Sequence, residues 1–589
     1  MGAFVPIKCT QLYVTNAWFH VQENRLAGCA RLCPAVLQNI CWNIYNIMSK
    51  SFITKSLIPL QWLAILLLFL LVSCDQPDKS AKQTAAAQHP ETLVLAIGGE
   101  EEQGYDPTMG WGRYGSPLFH STLLRYNDAL KIEDDLATGY TVSEDRLTWT
   151  ADIRPDARFS DDTPVTAEDV AYTFNTAKKS GGLVDLHFLT QAEAVGGHRV
   201  VFHLSKPQST FIHRLRTLGI VPKHAHGKDY GRHPIGSGPY KMVRWDEGQQ
   251  LVVEANPLYY GKKPAIQRLA FLFLDQDTAF AAAQAGTVQM AAVPQILADK
   301  EVPGMRLVRV TSVDNRGIMF PCQPATHADY KGKPVGNDVT ADPAIRQAIN
   351  YAIDRQALVQ GVLNGFGTPA YGSVSHLPWE ESATRFKDHD LDKAAALLKA
   401  AGWEDHDQDG IVDKDGVAAT FTLLYPADRL IRQSLALAVA DMLAPLGIRL
   451  ELSGKSWEEI QKVQHAQAVL FGWGSHDPTE MYNLFYSQVA GQGYFNPGFY
   501  SNPKVDAYLE QAMSAASPEE ATKYWRAVQW DGSTGVAAQG DAPWAWLVNL
   551  DHTYLVDQRL DVGTSRVEPH GHGWPITANI TEWRWKEVP

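Results

Sequence analysis

A chain of 589 residues is too long for one simple core and implies two or three domains. Its 45% hydrophobic and 20% charged content is that of an ordinary folded protein. The net charge of −13 lies on the body, because residues 1–73 are basic, and an acidic body of this size repels phosphate backbones and excludes nucleic acid as a partner. Five of the six cysteines fall at or before Cys74 and only Cys322 follows. No CxxC pair or zinc-ligand spacing exists, so a disulfide scaffold is excluded for the body. Cys322 reads as an inert thiol rather than a nucleophile.

Lys50 and Lys55 precede the apolar run LAILLLFLLV (63–72), then Ser73 and Cys74. A basic region, a short apolar core and a small residue form a secretory signal, too short for a comfortable membrane span. LVSC (71–74) resembles the lipobox of bacterial lipoproteins. That resemblance implies lipid on Cys74, with Asp75 as an inner-membrane retention signal. Residues 48–73 are then the signal peptide and 74–90 a polar, Ala-rich tether. Met48 is the more natural start, and 1–47 read as a start-site artefact.

In the body, ETLVLAIGG (91–99) reads as a buried strand ended by glycines. RLTWTADIRPDARFSD (146–161) reads as strand and loop. In TPVTAEDVAYTFNTAKKSGG, Thr166 is an N-cap with Asp169 three residues on, and Gly181 and Gly182 stop the helix. RVVFHLSKP (199–207) is another strand, and Gly236 and Gly238 turn into the strand that follows. After about residue 312 the pattern becomes helical. Asp342 caps a helix with Pro343 at its first position, and Ile345, Ala348, Ile349, Ala352 and Ile353 form its apolar stripe. DLDKAAALLKAAGW (390–403) is a second amphipathic helix. TFTLLYP and IRLELSG flank a helix over 431–446, a β-α-β pattern.

The strings LTWTADIRPDARFSDDTPVTAEDVAYTF, IGSGPYKMVRW, EANPLYYGKKPAIQRLAF, DPAIRQAINYAIDRQALV, AAALLKAAGW and NPKVDAYL occur in order. Together they resemble the extracellular solute-binding proteins of dipeptide, oligopeptide and nickel ABC importers (family 5). The resemblance implies an α/β, two-lobed periplasmic-binding-protein-like fold of class II type, with a hinge between the lobes. Lobe I would hold 91–312 plus 548–589, enlarged by an extra subdomain at about 128–235; lobe II would hold 313–547. It also implies a monomer at the periplasmic face that hands a small solute to membrane permease subunits.

The loop LFGWGSHDPTEMY (470–482) carries the ligand question. Ser475, His476 and Asp477 are adjacent in sequence, a poor way to build a triad, and no G-x-S-x-G, HExxH or P-loop is present. No catalysis is therefore expected, although a lipid-anchored hydrolase is the competing class. Dipeptide-binding members carry an acid in this loop that holds the peptide amine. Here that acid is missing and His476 stands near its place. A neutral imidazole suits Ni²⁺ or Cu²⁺. The resemblance to the nickel-binding branch implies a transition-metal chelate such as nickel–histidine as the solute, the Ni²⁺ being cargo. A dipeptide, oligopeptide or opine-like solute is the alternative.

Ligand contacts are expected from Trp111, Arg113 and Tyr114 in GWGRYG, from Arg316 in VDNRGIMF and from Trp473. His476 has a structural loop role as its competing reading, Arg316 an interlobe salt bridge and Trp111 core packing. His570 and His572 in EPHGHGWP form a weaker metal pair, or a surface loop without ligand. His120 reads as a core or cleft-edge residue, and His224 and His226 as surface residues. Asp405, Asp407, Asp409 and Gly410 half match a calcium loop, but position 12 is Gly416 instead of Glu, so a solvated turn is favoured.

Overall fold

The computed structural model describes residues 90–587 apart from 102, 116–117, 326–328 and 572. The readings made for residues 1–89, including the signal, Cys74 and the tether, and for His572, lie outside the described residues.

Two mixed sheets organise the body. The first runs in the order Met305–Val310, His552–Asp557, Met290–Ala292, Leu93–Gly98, Arg268–Phe273, Gln250–Ala255, Tyr240–Asp246. Its strand Leu93–Gly98 is parallel to Arg268–Phe273 and to Met290–Ala292. Leu93, Leu95, Leu269, Phe271 and Met290 bury one face beneath Trp574 and Trp583. The second sheet runs Gly367–Pro369, Trp544–Leu550, Asn315–Met319, Ala468–Trp473, Thr420–Pro426, Arg449–Lys455. Thr420–Pro426 and Arg449–Lys455 are parallel around the helix Leu430–Leu443, which is the expected β-α-β unit. Trp544–Leu550 is buried at every position, as a strand covered on both faces must be.

The chain crosses between the two sheets twice, at 311–314 and at Asp551. The return crossing lies three residues beyond the expected boundary at 548, because Val548, Asn549 and Leu550 still pair in the second sheet. The stretch WAWLVNLDHTYLV is strand-like on both sides of Asp551, so its pattern does not by itself mark where the chain changes sheets.

A third, antiparallel sheet is ordered Ala137–Val142, Thr148–Ile153, Arg199–Leu204, Leu189–Val195. The helix Ala167–Lys179 packs on it, burying Val170 and Phe174 against Phe202. This helix begins with a full capping box. Thr166 accepts from the Asp169 N–H, and the Asp169 carboxylate accepts from Thr166. Asp342 caps Pro343–Ala352 and Asp390 caps Leu391–Ala400 in the same way, each accepting a backbone N–H of the first turn. Gly236 and Gly238 serve close approach: a Cβ at either would meet the backbone of residues 118–119.

Candidate functional site

The loop after Ala468–Trp473 carries His476 into a cavity of about 320 Å³. The rest of the wall includes Tyr114, Leu118, Tyr126, Asp135, Arg216, Tyr259 and the C-terminal residues 565–569 and 575–582. The loop that leaves the second sheet thus contributes one histidine to a cavity otherwise walled by segments that flank the first and third sheets.

His476 is 6% exposed, its ring edge-on to Tyr126 at 5.8 Å between centroids. Its Nε2 is buried with no hydrogen-bond partner among the described residues. Val567 lies beside the ring, and its backbone favours the protonated form less than burial opposes it. Burial, reinforced by Arg216 and His213, lowers its pKa to about 3, so the ring stays neutral.

The neighbouring side chains do not form a triad. The Ser475 hydroxyl accepts from the Asp477 N–H at 3.0 Å, and the Asp477 carboxylate accepts from the Thr479 N–H and pairs with Arg214. Tyr126 donates to the His476 carbonyl at 2.9 Å. Both Arg214 and Tyr126 belong to segments flanking the third sheet, so two polar contacts fasten that region to the loop. Glu480 accepts from the Gly474 N–H at 3.0 Å and steadies the loop's start. Burial raises its pKa to about 8.

Tyr114 lines the same cavity as His476. Arg113 lies over the Tyr114 ring, 4.6 Å from its centroid, beside a crevice of about 20 Å³ that has the room of a single water. Trp111 is 4% exposed and packs on Tyr105, Phe119 and Trp574. Trp473 donates its backbone N–H to Asn315, and its indole N–H is buried without a partner among the described residues.

Arg316 forms a two-point pair with Asp314, at 2.5 and 3.2 Å, at the first crossing. Asp314 also meets His570 Nδ1 and, at 3.5 Å, His552 Nε2. His570 is therefore engaged with Asp314 at the crossing, and its backbone N–H donates to the Gly474 carbonyl at 2.7 Å. Arg432 lies near Arg316 and donates to the Leu470 carbonyl at 2.8 Å; burial lowers its pKa to about 9. His120 is buried and meets Tyr230 at 2.8 Å.

His226 departs from the expected surface position. Its side chain is 8% exposed and is held by Asp106 at 3.1 Å and Tyr172 at 3.0 Å, a pairing of distant segments invisible in PKHAHG. Asp405, Asp407 and Asp409 are exposed with carboxylate oxygens within 4.8 Å of one another. They accept the backbone N–H groups of Asp409, Gly410 and Ile411, which closes the turn.

Two cavity residues were missed by the sequence reading. Arg216 is 6% exposed, stacks 4.1 Å over the Tyr126 ring, and its Nε has no partner among the described residues. Glu568 is 3% exposed; its Oε2 meets His552 at 2.5 Å and Tyr554 at 2.8 Å, while Oε1 has no partner among the described residues. For Arg216 the only signal was its place in the mixed string FIHRLRTL, and for Glu568 the EPHGHG string, and neither points to a cavity by itself.

The family described as bacterial extracellular solute-binding proteins, family 5 Middle, matches residues 131–496. The chain belongs to the family 5 extracellular solute-binding proteins. Protein XP55 of Streptomyces lividans is 32% identical over 81% of this chain and 87% of its own length. Among solved structures, NikZ from Campylobacter jejuni in complex with Ni(L-His) superposes with a TM-score of 0.72 at 24% identity, covering 84% of this chain and all of that one. The oligopeptide-binding protein AppA from Bacillus subtilis in complex with a nonapeptide superposes at 0.66 and 22% identity, covering 84% and 99%. The fold is the mixed α/β class II periplasmic-binding-protein fold. This family 5 protein is the extracytoplasmic component of an ABC importer, binding a small solute for its transporter. Its family is non-enzymatic, in keeping with the absence of a Ser475–His476–Asp477 relay.

Proposed function

We propose that the solute of this family 5 protein is a small transition-metal chelate, of the nickel–histidine kind, with His476 as the protein's own donor to the metal. Relatives of one fold bind cargoes as different as Ni(L-His) and a nonapeptide, so the argument must come from the cavity. The observation that carries it is the His476 ring: buried, neutral, part of the cavity lining, and with an Nε2 that has no hydrogen-bond partner among the described residues. A neutral imidazole with a nitrogen not engaged by other described residues suits a borderline metal. A volume of about 320 Å³ suits a small chelate. Arg216, with its unpartnered Nε in the same wall, supplies a donor for a chelator carboxylate. Tyr114 supplies an aromatic wall.

Ni²⁺ with free L-histidine is expected to raise the melting temperature, and His476→Ala to abolish the rise. A peptide library that stabilises the protein where the nickel mixture does not would overturn the metal reading. We further propose that Cys74 carries the lipid anchor, with Asp75 directing retention in the inner membrane. Palmitate labelling should disappear in Cys74→Ala, and persistent labelling would rule the site out.

A further inference from the structure

The cavity wall holds a second electron-pair donor that chelate binding through His476 leaves unused. Glu568 lines the cavity, and its two carboxylate oxygens have different fates. Oε2 is consumed by His552 and Tyr554, whereas Oε1 is buried and without a partner among the described residues. Val567, whose backbone lies beside the His476 ring, is the preceding residue, so Glu568 and His476 share one stretch of wall. Each of these two lining residues has a buried polar atom without a partner among the described residues, which is costly unless something positive or hydrogen-donating meets it.

We propose that Glu568 is the cation contact of the cargo, its Oε1 receiving the positive centre of the bound solute beside His476. That centre is either the chelated metal ion or a primary ammonium. The inference rests on the cavity being the solute site, and not on the solute being a metal chelate. The same residue reaches the crossing between sheets. The Glu568 N–H donates to the Thr311 carbonyl at 2.9 Å, its carbonyl accepts from Val313 at 2.8 Å, and His552 links it to Asp314. Glu568 is thereby hydrogen-bonded to the segment 311–313 and linked to Asp314 where the chain passes between the two sheets.

The test is calorimetric titration of the wild type, Glu568→Gln and His476→Ala with two probes, NiCl₂ plus L-histidine and trialanine. N-acetyl-trialanine serves as the control without an ammonium. Glu568→Gln keeps the side chain's shape and removes its charge; it is expected to bind the wild type's probe at least tenfold more weakly. If that probe is trialanine, the acetylated form should bind the wild type at least tenfold more weakly than the free amine, and Glu568→Gln should not distinguish the two. A purely structural role would lower both equally and leave the preference intact. Trialanine binding with loss in Glu568→Gln would defeat the nickel reading and support Glu568. Wild-type affinity in Glu568→Gln, or an acetylated peptide bound as tightly as the free one, would overturn the proposal. Uptake of neither probe by the wild type would overturn both.

Discussion

Three buried histidines give the protein a computable response to pH. Burial lowers the pKa of His213 to about 4 and of His476 to about 3, while Asp314 and Glu568 raise that of His552 to about 10 against its burial. The unfolded chain titrates all three near 6.5. Below 6.5 the unfolded state therefore takes up protons that His213 and His476 refuse in the fold, and stability falls as pH drops toward 4. Above 6.5 the fold retains a proton on His552 that the unfolded chain releases, so that contribution is lost as pH rises through 10. Each fully mismatched site contributes a slope of about 1.4 kcal/mol per pH unit. The melting temperature of the ligand-free protein should peak near pH 6.5. His213→Gln should flatten the acid limb and His552→Gln the alkaline one. A flat profile between pH 6.5 and 4.5 would contradict these environments. At this scale the sequence exposed His476 and Tyr114 as residues of interest, because an unusual loop and a glycine-rich segment mark them. Arg216 and Glu568 were not legible: their unpaired atoms exist only where segments some 350 residues apart in sequence meet.

Among the elements, helices were the most legible, because their caps are local chemistry. Thr166 and Asp342 bind the N–H groups that their positions promised. The β-α-β unit over Thr420–Lys455 was likewise readable from two apolar runs around one helical period. What could not be read was how the helix Phe211–Thr217 meets the loop at 476–477, since no periodicity encodes a contact across 260 residues. There Arg214 and Asp477 form a pair with side chains only 16% and 10% exposed. Removing one member leaves a buried charge uncompensated, a loss of about 3–5 kcal/mol. Arg214→Ala should show that loss in urea unfolding. A change below about 1 kcal/mol would mean that the contact is solvated and does not fasten the loop.

Across the whole molecule, two sheets joined by two short crossings place one loop of the second against segments of the first. The crossings carry the densest charge network near the cavity: Arg316 and His570 on Asp314, His552 between Asp314 and Glu568, and Arg309 on Asp551. The two-lobed class came through the family resemblance that the ordered strings carry, but the exact crossing at Asp551 did not. On the reading proposed above, the cavity beside His476 is where the cargo's identity is decided. The most direct measurement is anomalous diffraction at the nickel edge from crystals grown with NiCl₂ and L-histidine. The account predicts a single strong peak in the cavity at about 2.1 Å from His476 Nε2, the usual length of a metal–imidazole bond. A cavity filled by peptide density without a nickel peak, or a peak remote from His476, would contradict it.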